Sequence, residues 1–156
     1  MMKSDSMVHK TATMGDAAVS GLLAGGGAGT VMMLYLVVAG LTQGEAFAAT
    51  LGRFDAGVVG PGGSPLVGLL AHLATASVYG ALFGVAGRFV PKGWRSRMPS
   101  WLAGVAYGLI LWGLALVAVL PVFATSLRAF PPLHFAIAHG LYGLVLGIGL
   151  AQRKAK

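Results

Sequence analysis

A chain of 156 residues that is 56% apolar and only 10% charged has more hydrophobic surface than one small globule can enclose, since soluble domains carry roughly 25% charged residues. Lipid must cover the remainder, so the chain reads as an integral membrane protein. A net charge of +7 would point to nucleic acid in a soluble protein, but these cations stand in short runs beside apolar spans and report topology instead, and the absence of cysteine excludes disulfides, thiolate metal sites, cysteine nucleophiles and covalent c-type haem.

Residues 1–16 are polar, include acidic groups, and form too long a stretch for the basic region of a signal peptide, which predicts a retained cytoplasmic segment. The first apolar segment covers residues 17–41, with Asp16 expected to cap it by accepting orphan N–H groups at the positive end of the helix dipole. The loop that follows, 42–64, is long and rich in glycine. Within it Phe47, Leu51 and Phe54 fall at helical spacing among Glu45, Arg53 and Asp55, as in a short helix lying on the outer membrane surface; a plain connecting loop is the alternative.

A second span covers 66–90, opened by Pro65, whose missing N–H costs nothing at a helix start. A basic loop follows, flanked by Trp94 and Trp101 as interface anchors. The third span covers 101–122 and the fourth 133–151, the latter opened by Pro132; a basic cytoplasmic tail, 152–156, closes the chain. Each segment is long enough to cross a bilayer as a helix, and none alternates polar and apolar residues like a barrel strand. The predicted fold is all-α, an integral-membrane four-helix bundle.

Cation counts orient it. Lys3, Lys10, Arg88, Lys92, Arg95, Arg97, Arg153, Lys154 and Lys156 fall on one side, and only Arg53 and Arg128 on the other. The rule that positive loops stay inside then places both termini in the cytoplasm.

Phrases recur along the chain. "PLVGLLAH" at 65–72 matches "PLHFAIAH" at 132–139, "YGALFG" at 79–84 matches "YGLVLG" at 142–147, and "GLLAG" at 21–25 matches "SWLAG" at 100–104. The bundle therefore reads as two helical-hairpin repeats, 17–90 and 99–151, in parallel orientation. Glycines at every fourth position line each span: Gly21, Gly25 and Gly29; Gly80 and Gly84; Gly104 and Gly108; Gly143 and Gly147. Such stripes let membrane helices approach closely, and helix packing is the role expected of them. "AGGGAG" at 24–29 is no phosphate loop, because no strand precedes it and no lysine follows.

The recurring phrases carry His72 and His139 to similar depth, about 10 Å in by a rise of 1.5 Å per residue. Tyr79 shares the helical face of His72, as does Thr75, and Tyr142 shares that of His139. Three roles compete for the pair: neutral imidazoles that fix helix register, ligands to b-type haem or a metal, and a site for a quinone, lipid or other small molecule. His134 is expected at the boundary, and Tyr35, Tyr107 and Trp112 as packing residues with one polar atom to satisfy. No Asp or Glu falls inside a span, which counts against carboxylate relays and against hydrolytic chemistry.

The order of His72, "GRFVPKGW" (87–94), "WLAGVAYGLILW" (101–112), Leu120-Pro121 and "HFAIAHGLYG" (134–143) resembles the small inner-membrane proteins of the YagU type, associated with acid tolerance in bacteria, and related four-span families of unknown function. The resemblance covers roughly residues 65–150 and implies a bacterial inner-membrane location, with no catalytic residues to carry over. The function expected is therefore non-enzymatic: an accessory or scaffold subunit packed against other membrane proteins or its own copies in the bilayer, without nucleic acid. The alternative is a binding protein that holds haem, metal or quinone through His72, His139, Tyr79 and Tyr142.

Overall fold

The computed structural model describes residues 13–55, 63–121 and 125–154. Most of the predicted N-terminal segment, and residues 155–156 of the tail, lie outside the described residues. Among the described residues all regular structure is helical, and four helices are long and apolar enough to cross a membrane. These are α1 (Met14–Thr42), α3 (Pro65–Phe89), α5 (Ser100–Leu114, extended by a π-helical turn, Ala115–Val119) and α6 (Pro132–Lys154). Two short helices, α2 (Phe47–Gly52) and α4 (Lys92–Arg97), lie in the α1–α3 and α3–α5 connections.

Local chemistry sets the helix starts. Thr13, not Asp16, is the N-cap of α1: its Oγ1 accepts the Asp16 N–H at 3.1 Å, and the Asp16 carboxylate accepts the Thr13 N–H at 2.7 Å. Asp16 thus stands at the third helical position of a reciprocal capping box, where a carboxylate still faces the positive dipole end. Ser64 caps α3, and Pro65 and Pro132 open α3 and α6, as their missing N–H groups allow.

Each hairpin closes on glycine. A Cβ added to Gly25 would lie 2.5 Å from Ala76 O and 2.8 Å from Gly80 Cα, and one on Gly84 would meet Ala17 O and Gly21. On the other side Gly104 faces Gly143 and Gly147, and Gly108 faces the His139 carbonyl. Gly29 abuts the Ala76 methyl, and Gly21 the backbone of Gly80 and Ala81. All nine glycines of the predicted stripes therefore sit at helix–helix contacts, where lipid-phase packing depends on close backbone approach.

The two hairpins join through α1 and α6, which are the most buried spans, while α3 and α5 flank them and barely touch each other. Leu36, Ala28, Ala138 and Leu146, all inaccessible to solvent, belong to this shared core. Tyr35 Oη and His134 Nδ1, 2.8 Å apart, tie the same two helices together.

One end of the bundle carries a cap. α2 continues into a 3-10 turn, Arg53–Asp55, and a second such turn, Thr125–Ala129, precedes α6. Gly68 of α3 and Gly40 of α1 leave room for it, since side chains there would strike the Leu51 carbonyl and the Thr50 hydroxyl. The expected surface helix does form, but only Phe47 is exposed; Leu51 and Phe54 are buried within the protein. Arg53 pairs with Glu45, its guanidinium lies 4.9 Å from the centre of the Phe130 ring, and its carbonyl accepts the Ser126 hydroxyl at 2.7 Å. Gly63, at φ +64°, supports the turn into α3 while packing on Gly52, a conformation and a space that only glycine satisfies together.

Candidate functional site

Because α3 and α5 scarcely meet, the bundle leaves a space between them, roofed by the cap and backed by α1 and α6. It is a cavity of about 290 Å³ lined by Met32 of α1, by Phe54 and Asp55 of the cap, and by residues of α3, α5 and α6. His72, Tyr79, His139 and Tyr142 all border it, as does Thr75. The residues singled out from the two matching phrases thus face one shared space.

Their hydrogen bonds define what they offer. His72 Nε2–H donates to the Gly29 carbonyl at 3.0 Å, across the α1–α3 contact, and the ring stands edge-on to Phe54 with centroids 4.8 Å apart. His139 Nδ1–H donates to the Phe135 carbonyl one turn back, at 2.9 Å, and stands edge-on to the Phe135 ring at 4.6 Å. A carbonyl only accepts, so these partners assign the proton to the bonded nitrogen; the neutral ring then keeps a lone pair on Nδ1 of His72 and on Nε2 of His139.

Tyr142 is 2% exposed, and its hydroxyl donates to the Ala76 carbonyl at 2.7 Å, linking α6 to α3 behind the cavity. Tyr107 of α5 donates to the Tyr79 carbonyl at 2.9 Å and packs on Phe83 at 4.8 Å. That second bridge closes the α3–α5 gap toward the α4 end. Nearer the cap the gap stays open: Thr75 and Leu114 line the cavity from opposite sides, and both are exposed on the bundle surface, Leu114 at 55%. There the π-helical turn, closed by Leu120 N–H to Ala115 O at 2.9 Å, brings Ala115, Val119 and Leu120 to the wall. Such turns are frequent at functional sites, since the extra residue per turn widens the helix locally. The third span was expected to be a regular helix.

Asp55 was not foreseen at this site. It belongs to no span, yet it is fully buried and borders the same cavity as both histidines, its Oδ2 accepting the Ser64 N–H at 3.0 Å. A carboxylate therefore reaches the bundle interior from a loop, which a census of the spans alone could not find. The signal available was the helical spacing of Leu51 and Phe54 just ahead of it. His134 is half-buried and held by Tyr35, apart from the cavity. The Trp112 indole N–H is buried and finds no acceptor among the described residues.

His72 commits Nε2 to Gly29 and His139 commits Nδ1 to Phe135, so the lone pairs left stand on unlike nitrogens of the two rings. Among the described residues no three of His, Cys, Asp and Glu are grouped to hold a metal ion.

These features define a class: a multi-pass helical membrane protein with a mostly apolar cavity and a few convergent polar groups. The particular family follows from comparison with known sequences. Residues 15–155 match the model of a family of unknown function, DUF6789, and the chain belongs to that family. No curated protein and no solved structure matches it.

Proposed function

We propose that this protein binds a small amphipathic molecule taken from the membrane, with the ligand's polar head in the cavity and its apolar part directed through the gap between α3 and α5. The observation that carries this is the convergence of His72, His139, Tyr79 and Tyr142, drawn from two separate hairpins, on one cavity of about 290 Å³. Ligand sites are typically of this kind, apolar with a small number of placed polar groups. An accessory or scaffold subunit would need no such space, so binding is the better account of the site; of the ligands considered from sequence, a small organic head is the one a cavity of about 290 Å³ accommodates best.

The membrane is the bacterial inner membrane, as the resemblance to YagU-type proteins implies, with both termini cytoplasmic as the cation asymmetry requires. The cap then faces outward and the gap opens in the outer leaflet. The role is non-catalytic: binding, storage or presentation of the ligand, alone or beside another membrane protein.

The test is to purify the protein gently from its native membrane and identify co-extracted small molecules by mass spectrometry, alongside Thr75→Trp, which fills the mouth of the gap. The proposal expects one or a few amphiphiles enriched with the wild type and lost in the variant. Identical extracts from both would overturn it.

A further inference from the structure

We infer that the cavity selects ligands whose head donates hydrogen bonds, a hydroxyl or an ammonium, over heads that only accept them, such as ketones, quinone carbonyls and ethers. This rests on the binding function proposed above and names its ligand class.

Three of the polar groups around the cavity have their protons already committed. His72 Nε2–H goes to the Gly29 carbonyl, His139 Nδ1–H to the Phe135 carbonyl, and the Tyr142 hydroxyl to the Ala76 carbonyl. Each acceptor is a backbone oxygen, which cannot reverse its role. What remains on the two neutral rings is a lone pair apiece, and Tyr142 keeps its oxygen lone pairs. Against these, only the Thr75 and Tyr79 hydroxyls carry protons not committed among the described residues, and each can accept as readily as donate. The balance is therefore tilted toward acceptors.

In a site walled largely by Met32, Leu111, Phe54 and Phe135, an acceptor head set against the imidazole lone pairs has few donors to turn to, only the Thr75 and Tyr79 hydroxyls among the described residues. A donor head escapes that penalty. Sites built around one hydrogen-bonding role discriminate for this reason, because the mismatched ligand leaves buried groups unpaired. The carbonyl partners that hold the tautomers, Gly29 O and Phe135 O, are thus specificity determinants.

The experiment uses the purified full-length protein in detergent and three probes of one skeleton, compared at equal micellar mole fraction: 4-hexylphenol, 4-hexylanisole and protonated 4-hexylbenzylamine. The anisole keeps the oxygen acceptor and lacks the donor. Binding is read by equilibrium dialysis. The phenol should bind about tenfold more tightly than the anisole, a difference of about 1.4 kcal/mol. Comparison of the phenol with the ammonium tells which donor the cavity takes: hydroxyl if the phenol is tighter, ammonium if the amine is.

In His139→Leu the phenol's advantage should shrink to within about threefold while the anisole binds as before, which also shows that the variant is folded. Anisole binding as tight as both donors in the wild type overturns the selectivity and leaves the binding function standing. Absence of saturable binding by any probe overturns both.

Discussion

Gly25→Ala adds a single methyl where the backbones of α1 and α3 are in close contact, and the structure says what that methyl meets. The new Cβ would lie 2.5 Å from Ala76 O, 2.8 Å from Gly80 Cα and 3.1 Å from Gly80 N. All three are backbone atoms, which cannot swing aside as a side-chain tip can. Restoring ordinary contact requires the helices to part by about 1 Å, and dispersion energy falls by a quarter to a half over such gaps. Parting also stretches the bond from His72 to Gly29 O, one turn away and 3.0 Å long. Overpacking of a tight contact costs about 1–3 kcal/mol, and rigid backbone on both sides places this case near the upper end. In a chain of this size that lowers the melting temperature by about 5–10 °C. The assay is thermal unfolding in detergent with Gly27→Ala as control, since nothing lies within 4 Å of a Cβ at Gly27. The control should be neutral or slightly stabilising, as alanine is the better helix former. Equal melting temperatures for the two variants would refute the glycine-contact account of the bundle.

Other outcomes follow from single bonds. Tyr142→Phe removes the donor to Ala76 O and should cost about 1 kcal/mol, read as a fall in melting temperature, with hydrogen exchange of α3 amides near Ala76 rising. Asp55→Ala strips the half-buried Ser64 N–H of its acceptor and should cost about 1 kcal/mol, with proteolysis of the α1–α3 connection as the readout. Glu45→Gln should change the melting temperature by no more than about 1 kcal/mol in equivalent terms, because the Arg53 pair is partly exposed and Arg53 keeps its contact with Phe130. A larger loss would mean that the ion pair, not apolar burial of Leu51 and Phe54, holds the cap in place.

The four spans, their starts at Pro65 and Pro132, the glycine stripes and the two histidine phrases were all legible in the sequence, because each rests on local chemistry: run length, a missing N–H, a missing side chain, a fixed spacing. The cap was not. Phe47, Leu51 and Phe54 show helical spacing whether the helix lies on lipid or folds over the bundle, and only the room made by Gly40 and Gly68, remote in sequence, decides between them. Asp55 was missed for the same reason, since its burial depends on where α2 docks. The N-cap of α1 is Thr13, three residues before the Asp16 expected there, because the two residues form a reciprocal box that a carboxylate alone does not signal. The side-by-side order of the helices, with α3 and α5 apart, follows from α1 packing on α6, a contact that glycine spacing within either hairpin does not report.

The central claim is that a membrane-derived ligand occupies the space between α3 and α5. The most direct measurement is photolabelling of the full-length protein in vesicles with a diazirine-bearing fatty alcohol, the crosslinked residues being mapped by mass spectrometry. The account predicts crosslinks concentrated on Thr75, Leu114 and Ala115, suppressed by excess 4-hexylphenol. Labelling spread evenly over lipid-facing residues such as Leu22, Leu66 and Ile148, unaffected by competitor, would contradict it.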